Sequence, residues 1–79
     1  ATVEATEERL REVTKVQEVL AKIPPPQRDA LKMSAIGVPY SIIAELTHTP
    51  IGTIKSRIHS ARNMFRRLYE AATSQAAAA

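Results

Sequence analysis

Apolar residues recur at steps of three and four along most of the chain, the spacing of amphipathic helices. The clearest run is Ile51, Ile54, Ile58, Ala61, Phe65 and Leu68. At about 100° per residue these positions fall within a wedge of roughly 100°. Thr49 and Pro50 precede the run, which predicts a threonine N-cap and a proline at the first helical position. Upstream, Leu10, Val13, Val16 and Leu20 predict a first helix from Glu4 to Lys22. Pro24-Pro25-Pro26 ends it and forms a stiff joint, because each proline restricts its predecessor and lacks a donor. Gln27 to Ile36 reads as a second helix with Ala30, Leu31 and Ser34 inward, Gly37 as its C-terminal cap and Pro39 soon after. Tyr40 to Leu46 is a short third helix. The pattern predicts an all-α fold, a small four-helix domain containing a helix-turn-helix.

The polar positions add chemistry to the fourth helix. Lys55, His59, Arg62 and Arg66 form a second stripe, centred on the order of 110° from the apolar one. Such a helix packs with one side and offers the other to something negative: nucleic acid, an acidic protein or a membrane surface. The third helix joins it through Thr47-His48-Thr49. A short helix, a tight turn and a longer basic helix make the helix-turn-helix pattern, whose second helix enters the DNA major groove. The turn has no glycine; His48 is expected to take the left-handed position, where histidine is enriched.

Specific residues now carry a resemblance. Ile23-Pro24-Pro25-Pro26-Gln27-Arg28-Asp29-Ala30-Leu31, Gly37-Val38-Pro39-Tyr40, Ile43-Ala44-Glu45-Leu46 and Pro50-Ile51-Gly52-Thr53-Ile54-Lys55-Ser56-Arg57-Ile58 with Ala61-Arg62 resemble region four of bacterial sigma factors. The match is nearest to the extracytoplasmic-function group and spans about Ile23 to Leu68. Gly-Thr-Ile-Lys-Ser-Arg is its specific part. The resemblance implies binding to the upstream (minus thirty-five) promoter element, docking on the flap of core RNA polymerase, and occlusion by an anti-sigma factor. No stretch reads as region two, which implies a C-terminal part of a longer factor or a domain that has lost its partner region.

Residue roles follow from the same resemblance. The family's Lys-Ser pair and the two positions one turn later point into the major groove, which implies Lys55, Ser56, His59 and Ser60 as base contacts. Lysine reaches the O6 and N7 acceptors of guanine, and serine pairs with several bases. The family commonly has arginine where Ser60 stands, so one strong contact is missing. Thr53, Arg57 and Arg62 match phosphate-contacting positions, and Thr53 lies near the positive end of the helix dipole. Arg28 is a further phosphate candidate. The alternatives are an ion pair of Arg57 with Glu45, and solvated charges at Lys55 and Arg62. Gly52 is expected to permit close approach to the third helix or to a phosphate.

Two departures from the family pattern matter. Its Ser-Tyr-Glu-Glu entry to the third helix is here Pro39-Tyr40-Ser41-Ile42, so the serine cap and the acidic half of a capping box are absent. Ser41 is the one candidate for a later cap. Ile42 is expected at the surface, where with Ile36, Val38 and Tyr40 it makes an apolar patch of the kind that marks a protein partner. Val38, Tyr40 and Ile42 are the expected partner contacts, for an anti-sigma helix or the polymerase flap. Core packing is the alternative for Ile36 and Val38.

Composition agrees. Seventy-nine residues allow one small domain with a modest core. The formal charge is +3, but it is concentrated after residue 50, where Lys55, Arg57, Arg62, Arg66 and Arg67 face Glu70 alone. There is no cysteine, hence no disulfide or thiolate site, which fits the cytoplasm. No apolar run approaches the roughly 20 residues that span a bilayer, so no membrane insertion is expected. Asp29, Glu45 and Glu70 have no nearby acidic partner, His48 and His59 lie in different elements, and there is no glycine-rich phosphate loop. No catalytic residue, cofactor or metal site is expected. The organisation reads as a linker or supporting helix over 1–23, the helix-turn-helix domain over 24–70, and a low-complexity tail over 71–79, whose terminal alanines are a cloning remnant or an inert fraying end without function. Two functions follow: promoter recognition as the C-terminal domain of a sigma factor, or a sigma-like module that sequesters an anti-sigma factor without touching DNA.

Overall fold

The computed structural model describes the backbone of residues 3–78 and the side chains of residues 6–75. Four helices follow one another: α1 (Val3–Ala21), α2 (Pro25–Ala35), α3 (Tyr40–Leu46) and α4 (Ile51–Ala78). Helix α4 is the spine. It packs against each of the other three, and α2 also meets α3.

The core is small and nearly all aliphatic. Ile54 and Ile58 of α4 are buried against Ala30 of α2 and Ile43 of α3, with Met33, Val38, Tyr40 and Ala44 packed around them. Val19, Ile23 and Ala61 complete the buried set, which holds no polar or charged residue among those described. Full burial of one isoleucine side chain contributes about 1.5–3 kcal/mol. Ile23, Ile43, Ile54 and Ile58 are the largest fully buried side chains, so they dominate the stability of so small a domain.

Two turns of the same design set the helix directions. After α2, the Gly37 amide donates to the Ser34 carbonyl and the Val38 amide to Met33, with Gly37 at φ 94°. After α3, the His48 amide donates to Glu45 and the Thr49 amide to Ala44, with His48 at φ 50°. Both are Schellman motifs, which normally place glycine at the left-handed position. His48 takes that position in the second, as its place in the sequence predicts.

Several boundaries and faces differ from the sequence-based expectation. The prolines open α2 as well as closing α1: Pro24 is its N-cap and Pro25 and Pro26 fill its first turn, where no N–H is needed. Thr49 does not cap α4. Its hydroxyl donates back to the Thr47 carbonyl at 2.9 Å, and the Pro50 carbonyl accepts from Thr53 and Ile54. The cap position therefore falls on Pro50, one residue later. Helix α3 begins at Tyr40 with Pro39 as its N-cap and no side-chain cap bond, and Ser41 supplies none.

Of the apolar line expected for the first helix, only the second half, Val16 and Leu20, is half-buried. Leu10 and Val13 are 61% and 55% exposed, while Val19 and Ile23 are buried. Only the last turns of α1 reach the core, so periodicity along its first half has nothing to pack against. The stripe of α4 begins at Ile54, since Ile51 is exposed. Residues 71–78 continue α4 as helix, and Thr73 accepts a hydrogen bond from Lys15 at 3.0 Å.

Candidate nucleic-acid interface

The buried stripe of Ile54, Ile58 and Ala61 fixes how α4 is rotated on the core. That rotation leaves Lys55, His59, Arg62 and Arg66 exposed. Thr53 and Ser56 are exposed as well, and Arg57 and Ser60 are half-buried at the edges of the face. The sequence-predicted base contacts Lys55, Ser56, His59 and Ser60 thus share α4 with the phosphate candidates Thr53, Arg57 and Arg62. Arg28 stands apart on α2, largely covered, with its Nε 3.9 Å from the Asp29 carboxylate.

The cations of α4 are not neutralised by the protein. Among the described residues the ion pairs are Glu7–Arg11, Glu12–Lys15 and Arg28–Asp29, none of which involves α4. Arg57 makes no pair with Glu45. The first turn of α4 carries no acidic residue, and the amides of Ile51 and Gly52 precede the first intrahelical bonds. Such a terminus favours an anion. A Cβ placed on Gly52 would meet nothing within 4 Å, so packing against α3 does not require glycine there. Of the two expectations for Gly52, close approach to the third helix is removed.

Sequence reasoning passed over Asn63. Arg66 Nη2 donates to Asn63 Oδ1 at 2.6 Å, and Asn63 Nδ2 lies 3.3 Å from His59 Nε2. The i,i+3 and i,i+4 spacing of these polar residues on the basic face was the available signal.

The apolar patch is rearranged relative to expectation. Val38 and Tyr40 are half-buried against the core cluster, so they have less surface to give a partner than the sequence suggested. Ile42 is exposed as expected, and Ile36, at 81% exposure, is not in the core. Leu46, one turn beyond Ile42 on α3, and Ile51 are exposed too. The i,i+4 spacing of Ile42 and Leu46 would have found the pair.

Away from this face a polar clasp ties α1 to α4. The Tyr69 hydroxyl donates to the Glu12 carboxylate at 2.5 and 3.1 Å. Lys15 Nζ sits 4.4 Å above the Tyr69 ring and 3.6 Å from Glu12, and Phe65 stacks on Tyr69. The Tyr69 hydroxyl, and after it the Lys15 ammonium, hold the Glu12 carboxyl below the usual glutamate range. Among the described residues no three His, Asp or Glu side chains converge as metal ligands, and no helix is long and apolar enough to cross a membrane.

A family model described as sigma-70, region 4 matches residues 14–65, about two thirds of the chain. The match takes in the last turns of α1, all of α2 and α3, and α4 as far as Phe65, which includes Lys55, His59 and Arg62 of the basic face. No solved structure matches this chain.

Proposed function

Because the chain belongs to the sigma-70 region 4 family, the DNA-binding part of transcription initiation factors, we propose that it reads the upstream promoter element through α4. The observation that carries this reading is the set of exposed, unpaired cations on α4, turned outward by the buried Ile54, Ile58 and Ala61. Lys55, Ser56, His59 and Ser60 contact base edges. Thr53, Arg57 and Arg62 hold phosphates and set the register, with Arg28 a weaker contributor because it is largely covered. The run Gly52-Thr53-Ile54-Lys55-Ser56-Arg57 supports placement in the extracytoplasmic-function group. The domain then works in the cytoplasm, on core RNA polymerase, without cofactor or catalysis.

An anti-sigma factor is the third partner we assign. Exposed Ile42, with Leu46 one turn away, supplies an apolar surface on α3 beside the recognition helix. A partner seated there excludes DNA or polymerase. The second reading, a module that binds an anti-sigma factor and not DNA, is favoured by half-buried Ser60 standing where the family has arginine.

Selection of duplexes by the full chain, followed by competition against random DNA, separates the two. Lys55→Ala should relax preference at particular base pairs and lose about 1–3 kcal/mol on the selected sequence. Arg57→Ala should weaken all sequences alike. A wild-type chain that prefers no duplex over random DNA would overturn promoter reading in favour of the second.

A further inference from the structure

His59, Asn63 and Arg66 form a hydrogen-bonded chain along the exposed face of α4. A guanidinium carries donors only, so the Asn63 atom that Arg66 meets at 2.6 Å is the carbonyl oxygen. The other end of that amide is then the NH2 group, which is also a donor only. His59 Nε2, 3.3 Å away, has to accept from it and therefore bears no proton. In a neutral imidazole the proton is left on Nδ1. Arginine cannot be deprotonated in a protein, so this end of the chain has one polarity, and it passes that polarity to the ring.

We propose that Asn63 is a positioning residue for base reading by His59. Anchored by Arg66, it holds the imidazole in the Nδ1–H form and leaves that N–H as the one donor the ring offers to DNA. The inference rests on the promoter-binding reading of α4, and it adds a base preference. An Nδ1–H donor needs an acceptor in the major groove: guanine N7 or O6, adenine N7 or thymine O4. Cytosine presents a donor there, its N4 amino group, and is the base that His59 rejects.

The test has two readouts on the full chain. Long-range 15N–1H spectra report the imidazole tautomer directly, at about pH 8.5, where an ordinary imidazole is neutral. Wild type should show Nδ1–H. Asn63→Asp keeps an acceptor for Arg66 but turns the group facing His59 into an acceptor, so the ring proton should move to Nε2. Asn63→Ala should release the ring to a mixture. The second readout is relative affinity for duplexes differing at one base pair, which cancels the added charge of the aspartate variant. Wild type should discriminate against cytosine at one position by about five- to tenfold. Asn63→Ala should lose that ratio, and Asn63→Asp should shift it towards cytosine. Asn63 is half-buried on the outer face of α4, and far-UV circular dichroism checks that each variant is folded. An Nε2–H ring in wild type overturns the proposal, as does an Asn63→Ala chain with unchanged tautomer and unchanged base ratio. A wild-type Nδ1–H ring in a chain that prefers no duplex overturns promoter reading and the role given to His59, while the tautomer result stands by itself.

Discussion

Ile54 is where α4 meets the rest of the molecule, and Ile54→Ala tests that arrangement most directly. The side chain is fully buried, in one cluster with Ala30 of α2, Ile43 of α3 and Ile58 of α4. Truncation removes three carbons from the point where three helices converge. Isoleucine-to-alanine changes in packed cores lose about 2–5 kcal/mol, more where the cavity cannot collapse. Two Schellman turns hold α2, α3 and α4 in fixed directions, so little collapse is available here. At ~0.05–0.15 kcal/mol per residue, 79 residues correspond to a total stability of about 4–12 kcal/mol. A single small core belongs towards the lower end, about 3–5 kcal/mol. Ile54→Ala should therefore leave the domain largely unfolded or close to it at 25 °C. Ile54→Val, which removes one methyl, should lose about 0.5–1.5 kcal/mol and stay folded. Ile36→Ala is the control: at 81% exposure it should change stability by less than about 0.5 kcal/mol. Urea unfolding followed by far-UV circular dichroism measures all three. If Ile54→Ala lost less than about 1 kcal/mol, or Ile36→Ala lost as much as Ile54→Ala, the rotation of α4 on the core would be misassigned, and the exposed basic face with it.

The remaining expectations concern binding and pH. If Arg57 and Arg62 each neutralise a phosphate, Arg62→Ala should flatten the log–log salt dependence of duplex binding by about 0.9; an unchanged slope would remove Arg62 from the phosphate contacts. The clasp between α1 and α4 should weaken in acid. Because Glu12 is held below its ordinary range, its contribution is fully present above the usual glutamate value and is lost as pH falls through the lower, folded one. Tyr69→Phe keeps the stacked ring but removes the hydroxyl, so its melting temperature should depend less on acid than that of wild type; parallel curves would exclude the Tyr69–Glu12 bond as the cause. Ile42→Glu puts the family's residue type on an exposed site of α3, so folding and DNA affinity should hold while affinity for an anti-sigma factor falls. Equal anti-sigma binding by the folded variant would remove Ile42 from that interface.

Apolar spacing together with the proline and glycine boundaries outlined the four helices, because a helix that must bury one face writes its phase into that spacing and those residues interrupt it. The turn after α3 was legible for a local reason: three polar residues between two helices leave one left-handed position, and His48 was the residue able to take it. The specific Gly-Thr-Ile-Lys-Ser-Arg run pointed to the sigma family, and the match over residues 14–65 agrees. Spacing could not say where a periodic stripe finds a partner. Leu10 and Val13 sit on the same kind of line as Val16 and Leu20, yet only the later turns of α1 reach the core, and Val19 and Ile23 carry the burial instead. Ile36 and Val38, two residues apart, were separated by the turn at Gly37, which sends one to solvent and the other against the core. Thr49 lost its expected cap to a bond with Thr47, a choice made by the geometry of the turn and invisible in its composition. The rotation of α4 is the main decision of this kind. It depends on Ala30, Ile43 and Ile58 closing around Ile54, a contact among three helices distant in sequence, and it determines which cations of the basic stripe stand free in solvent.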